Sequence, residues 1–245
     1  MPRTARKKSQ SGIYHIMIRG INRQDIFEDN EDKEKFIQTI AIYKEKCSFQ
    51  VYGYCLMNNH IHLLIKDKNL SITMRKICAS YVYWYNLKYR RCGHLYQDRF
   101  KNEVVEDDSY LLTVLRYIHQ NPLKAGIVKN IADYNWSSYG EYLGKQKIVD
   151  IDFVLGMITK DQFIDFNNEE NRDKCLEYIE NYRFDDIEAR KIIKKISKVK
   201  NINEIQSFEK VKRDETLKKL KEIDGLSIRQ IARITGITRK VIEIA

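Results

Sequence analysis

Apolar residues alternate with polar ones in some stretches of the chain and recur every three to four residues in others. These two periods separate strands from helices. Residues 13–20 alternate and end on Gly20, the pattern of a first strand. Over 30–46, Phe36, Ile37, Ile40, Ile42 and Tyr43 recur among charges, which predicts an amphipathic helix capped by Asn30 or Asp32. Two apolar runs, 50–57 and 60–66, flank the turn-forming pair Asn58-Asn59 and predict an antiparallel hairpin. A second helix over 71–89 carries Tyr81, Tyr83, Trp84, Tyr85 and Tyr89 as packing residues and stops at the basic turn before Gly93. Residues 94–106 predict a strand or bent strand. Asp107 and Asp108 then cap a helix over 109–120, which is expected to stop at Asn121-Pro122 because proline disfavours helical geometry in the residue before it. The order β-α-β-β-α-β-α makes an α+β fold, with helices on a small antiparallel sheet.

The remainder of the chain reads as helical. An acidic helical pattern over 161–189 gives way to a basic stretch over 190–200, and further helices are expected over 211–245. Within these, residues 226–242 have the helix, glycine turn, helix layout of a helix-turn-helix. Ser227 and Thr238 are the expected N-caps, Gly236 the turn, and Arg239 and Lys240 the opening of a second helix barely two turns long. A helical bundle without DNA contact is the other reading of this segment. The expected division is 1–150 for one domain and 151–245 for a helical one.

Composition narrows the partners. In 245 residues, a net charge of +10 favours a polyanion, nucleic acid above all, although a generally basic proteome would look the same. Arg3, Arg6, Lys7 and Lys8 form a basic leader suited to phosphate contact, and Arg19, Arg99 and Lys101 are further candidates. No apolar run has membrane-spanning length, and the leader lacks the apolar core of a signal peptide. Five cysteines, odd in number and without a CxxC pair, point to reduced thiols and hence to the cytoplasm.

Candidate chemistry begins at the hairpin. His60 and His62 lie two apart on a strand, so both imidazoles share a face while Ile61 and Leu63 take the other. Two neutral imidazoles side by side are half a shell for a divalent cation or a place for a phosphate. His15 either joins that face or is a satisfied sheet histidine. Tyr117 and Asn121, four apart, share one helical face. A phenolate is a competent nucleophile toward phosphorus when a metal offsets the developing charge, but spacing alone does not single out Tyr117 among sixteen tyrosines.

Met57-Asn58-Asn59-His60-Ile61-His62-Leu63-Leu64 resembles the His-hydrophobic-His motif of the HUH single-strand endonucleases. The blocks at 93–100 (GHLYQDRF), 116–126 (RYIHQNPLKAG) and 136–139 (WSSY) resemble, in order, the REP-associated tyrosine transposases of that superfamily. The likeness runs from about Gly12 to Gly144. It implies a ferredoxin-like (RRM-like) sheet and Mg²⁺- or Mn²⁺-dependent attack by one tyrosine on single-stranded or hairpin DNA. The products would be a 5′-phosphotyrosine and a free 3′-hydroxyl. By motif position it makes His60 and His62 metal ligands, Tyr117 the nucleophile and Asn121 the third ligand, with Gln120 the fallback. It also implies a phenol poised by the metal-bound phosphate rather than by a dedicated base. Asn58 stands where the family usually has proline, a change in the turn and not among the ligands. Such a protein would work at the nucleoid as a monomer or a homodimer. The alternatives are a domesticated, non-catalytic nucleic-acid-binding regulator that keeps the fold, and a phosphodiesterase that activates water.

Overall fold

The computed structural model describes residues 7–145, 147–170, 173–176, 184–223 and 225–245; Arg3 and Arg6 lie outside them. The chain forms two compact units, Met1–Glu177 and Tyr178–Ala245.

The first unit is α+β. Its elements run β1 (Ile13–Arg19), α1 (Asn30–Cys47), β2 (Gln50–Met57), β3 (His60–Lys66), α2 (Leu70–Lys88), β4 (Lys101–Val105), α3 (Asp108–Lys124), α4 (Tyr139–Tyr142), α5 (Ile151–Leu155) and α6 (Lys160–Asn168). The strands make one antiparallel sheet in the order β2-β3-β1-β4. The helix termini follow local chemistry. Asp29, not Asn30 or Asp32, caps α1, because its extended backbone lets its carboxylate accept from the Asp32 N–H at 3.0 Å. Asp107 does the same for α3, accepting from the Tyr110 N–H at 2.7 Å.

The third helix does not stop at Pro122. It continues to Lys124, and the Ala125 N–H donates to the Asn121 carbonyl at 2.9 Å. Proline forfeits one hydrogen bond there, but only the last turn lies beyond it, so the loss falls where helices fray anyway. Asn121 is therefore helical. The strand after Gly93 is also shorter than its sequence pattern: only Lys101–Val105 pairs with β1, and Tyr96 makes an isolated bridge to Gly20.

Opposed residues of antiparallel strands share a face. Met17 lies opposite His62, Arg19 opposite His60, and Met17 and His15 opposite Lys101 and Glu103. One sheet face thus carries His15, Arg19, His60, His62, Lys101 and Glu103. Helix α3 crosses this face where Gly53 clears its path: a Cβ on Gly53 would stand 2.5 Å from Leu115 Cδ1. The outer edge of β2 is covered by residues 136–138, with Leu56 N–H donating to the Trp136 carbonyl and Ser138 N–H to the Tyr54 carbonyl, both at 2.9 Å.

Helices α5 and α6 pack within this unit. Phe153 stacks on Tyr52 at 4.6 Å and Phe163 on Tyr142 at 4.3 Å, so the division expected at 150 falls later, after Glu177. The second unit holds α7 (Asp186–Ser197), α8 (Lys210–Lys221), α9 (Ile228–Thr235) and α10 (Arg239–Ile244) around Ile193, Leu217, Leu220, Ile231, Ile234 and Ile242. Ser227 caps α9 by accepting from Gln230 N–H at 3.2 Å, and Gly236 takes a left-handed turn at φ 73°. Thr238 precedes α10 but makes no side-chain cap. The acidic pattern over 161–189 is not one helix: α6 ends at Asn168, residues 173–176 are irregular, and α7 begins at Asp186. Among the described residues all five cysteines are free thiols, and no helix is long and apolar enough to cross a membrane.

Candidate active site

Two strands and one helix bring the sequence-predicted residues together. The His60 and His62 rings lie 5.2 Å apart, edge to face, and the Tyr117 ring stands 5.6 Å from that of His62. His15, left open by the sequence, belongs to the same cluster, 5.2 Å from His62 and 5.9 Å from Tyr117. Asn121 lies one turn beyond Tyr117 on α3 and donates from Nδ2 to the Tyr117 carbonyl at 2.9 Å. The same side chain also hydrogen-bonds His60. Gln120 points elsewhere: its Nε2 donates to the carbonyls of Asn167 and Glu169 at 2.7 and 2.9 Å. Those bonds turn its amide nitrogen toward residues 167–169.

Burial sets the charge state of the imidazoles. Desolvation, with the Arg19 charge nearby, pushes His60 down to about 4, against the pull of Asn121. Desolvation and the neighbouring imidazoles hold His62 well below the ordinary histidine range. Burial also lowers His15, opposed by Glu103. All three are neutral near pH 7, the form that ligates metals. Glu103 is held as a carboxylate: burial opposes its charge, but hydrogen bonds from His15 and Tyr110 bring its carboxyl below the usual range.

The donor set fits a divalent cation. His62 Nδ1 meets His15 Nε2 at 3.0 Å, whereas His62 Nε2 is buried without a hydrogen-bond partner among the described residues. His60 Nδ1 meets Asn59 Oδ1 at 2.7 Å. Among the described residues no three His, Cys, Asp or Glu side chains cluster as a metal site; the Asn121 amide, hydrogen-bonded to His60, is a further donor beside the pair.

The basic candidates divide by location. Arg19 and Lys101 share the histidine face; burial and the Arg19 charge lower Lys101 below the ordinary lysine range. Lys7, Lys8 and Arg99 are exposed and line an open groove of about 1120 Å³, together with Lys66 and Lys68. Arg239 and Lys240 are exposed on the C-terminal unit, at the start of α10. Tyr117 itself is enclosed, 3% exposed, with Lys124 Nζ 5.0 Å over its ring. Glu103 and Tyr110 were not singled out by the sequence, yet alternation along β4 puts Glu103 on the same face as Lys101, a signal that becomes readable once the register with β1 is known.

Residues 8–121 match the family model described as "Transposase IS200 like". The chain is 30% identical to a putative REP-associated tyrosine transposase of Haemophilus influenzae, over a match covering 40% of this chain and 65% of that protein's length. A solved structure of a REP-associated tyrosine transposase bound to a REP hairpin shares the fold, with a TM-score of 0.52 at 16% identity, over 72% of this chain and all of that one. Through residues 8–121 the chain is similar to the IS200-like transposases, and it resembles the REP-associated tyrosine transposases.

Proposed function

We propose that the protein is a metal-dependent tyrosine nuclease and strand transferase acting on single-stranded, hairpin-bearing DNA. The observation that carries this reading is the meeting of the Tyr117 ring with His62, whose buried Nε2 has an unspent valence. His60, His62 and the Asn121 oxygen would hold Mg²⁺ or Mn²⁺, leaving positions for phosphate and water oxygens. Such a cation, when bound, polarises the scissile phosphate and offsets its developing charge. Arg19 and Lys101 supply further positive charge on the same face. The Tyr117 oxygen forms a bond to phosphorus and releases its proton to solvent, while the bond to the 3′-oxygen breaks and that oxygen takes up a proton. The products are a 5′-phosphotyrosine and a 3′-hydroxyl, and the reverse attack rejoins strands. Because Tyr117 is enclosed, the side chains over it, Lys124 among them, move aside to admit the phosphate.

In this reading the β-α-β-β-α-β order with strands 2-3-1-4 is a ferredoxin-like sheet that presents the histidines. The basic groove of Lys7, Lys8 and Arg99 follows the DNA backbone. Helices α9 and α10 act as a helix-turn-helix, with Arg239 and Lys240 on phosphates. A REP-like hairpin is the substrate class, and the protein works at the nucleoid, as a monomer or a homodimer.

The test is incubation of the full chain and Mn²⁺ with single-stranded hairpin DNA taken from the flanks of its own gene, followed by denaturing electrophoresis. A covalent protein–DNA band that Tyr117→Phe abolishes is expected. Cleavage that survives Tyr117→Phe would replace the phenol by activated water, and binding without cleavage would leave a regulator.

A further inference from the structure

Behind His62, away from its unspent Nε2, lies a second imidazole and then a carboxylate. His62 Nδ1 is 3.0 Å from His15 Nε2, and His15 Nδ1 is 3.5 Å from Glu103 Oε2. Three groups from three adjacent strands are thus in line, at positions the sheet register fixes: His62 on β3, His15 on β1, Glu103 on β4. Glu103 is itself anchored, its Oε2 accepting from the Leu176 N–H at 3.1 Å and its carboxylate accepting from the Tyr110 hydroxyl.

Resting on the reading that His60 and His62 bind a divalent cation, we propose that His15 and Glu103 are positioning residues that hold His62 as its Nδ1–H tautomer, turning the Nε2 lone pair toward the cation. Two proton arrangements are possible along the line. In one, His15 donates from Nε2 to His62. That sets the bare His15 Nδ1 lone pair against the Glu103 carboxylate and places a proton on His62 Nε2, a buried donor with no acceptor among the described residues. In the other, His15 Nδ1–H faces the carboxylate, His15 Nε2 accepts from His62 Nδ1–H, and every proton has an anion or acceptor to meet. The choice follows from the sign of the Glu103 charge and does not need a short contact. At 3.5 Å His15 Nδ1 meets Glu103 through charge and not through a short hydrogen bond, and the His62 Nε2 lone pair is left with no polar partner among the described residues. His15 is therefore not a ligand, because its Nε2 is used on His62. It orients one, as a carboxylate–histidine pair does behind many metal sites.

The experiment has two readouts, neither of them cleavage. In the metal-free, ¹⁵N-labelled full chain at pH 7.5, long-range ¹H–¹⁵N spectra report which nitrogen of His62 carries the proton. Nδ1–H is expected, and Nε2–H overturns the proposal. Mn²⁺ affinity is then read from the free-ion EPR signal. Glu103→Leu and His15→Phe are expected to mix the His62 tautomers and weaken Mn²⁺ binding 10- to 100-fold. Glu103→Gln, which keeps the shape and an acceptor, is expected to weaken it less and serves if Glu103→Leu does not fold. Unchanged tautomer and affinity within twofold in these variants overturn the relay while leaving the metal site standing. Mn²⁺ binding that survives His60→Ala and His62→Ala overturns the metal reading itself.

Discussion

His62 and His119 look alike by every coarse measure. Both are fully buried, and burial lowers both, His119 to about 4 and His62 well below the ordinary range. They differ in what their nitrogens do. His119 spends both, Nδ1 on Asn167 Oδ1 and Nε2 on Ser138 Oγ, each at 2.8 Å. His62 spends Nδ1 on His15 and leaves Nε2 unspent. Ser138 also accepts from the Tyr54 N–H, so His119 ties α3 to the covered edge of the sheet. Burial and a depressed pKa therefore do not separate a structural histidine from one proposed as a ligand. For this pair the difference is the buried His62 nitrogen with nothing to bond.

The largest effects come from breaking each histidine in turn. His62→Ala is expected to weaken Mn²⁺ binding roughly 100-fold or more and to abolish the covalent DNA band. Its unfolding free energy should fall by only about 1–2 kcal/mol, because His15 Nε2 loses one partner. His119→Ala should do the reverse: about 2–5 kcal/mol of stability lost, as Asn167 and Ser138 both lose a buried partner, with Mn²⁺ affinity within about twofold. Urea unfolding and Mn²⁺ titration of both variants decide the matter. Equal effects on metal affinity would erase the distinction.

An intermediate effect lies in the pH dependence. Histidine in the unfolded chain titrates near 6.5, while folded His119 titrates at about 4. Between these values the unfolded chain binds a proton that the folded one refuses, so stability is full above pH 6.5 and is lost as pH falls toward 4. For His119 the loss is roughly 3 kcal/mol across that window. His119→Gln should flatten the dependence of urea midpoints on pH over 4–7 by about one proton. His15, His60 and His62 keep the rest of the slope, all three being lowered in the same sense.

How much of this was legible in the chain depends on the range of the interaction. The strands, the first three helices and the shared face of His60 and His62 follow from periods of two and 3.6, which are local. So does the spacing of Tyr117 and Asn121, although the expected stop at Pro122 put the helix end too early. The pattern of 94–106 overstated β4, because pairing with β1 reaches only Lys101–Val105. The boundary expected at 150 falls short because α5 and α6 are short, and what claims them for the sheet unit is Phe153 on Tyr52 and Phe163 on Tyr142, contacts between residues about a hundred and about twenty apart respectively. The line from Glu103 through His15 to His62 needed the register of three strands at once, and no single window of sequence contains it.

The smallest effect concerns the other imidazole of the pair and sharpens the rule from the exposed side. His60 Nδ1 meets Asn59 Oδ1 at 2.7 Å, which sets its proton on Nδ1 and frees the other nitrogen toward Asn121, as His15 does for His62. His60 is only half-buried, however, so water can take the place of the lost amide oxygen in Asn59→Ala. A two- to fivefold weakening of Mn²⁺ binding is expected there, well short of the change at Glu103 or His15. Asn59→Asp puts a carboxylate behind the same nitrogen, raises the basicity of the ligand and should tighten Mn²⁺ binding by a similar factor. Opposite signs for these two substitutions, read by the same free-ion EPR titration, would show that what stands behind each imidazole tunes it. A common sign would reduce Asn59 to a turn residue that holds the hairpin.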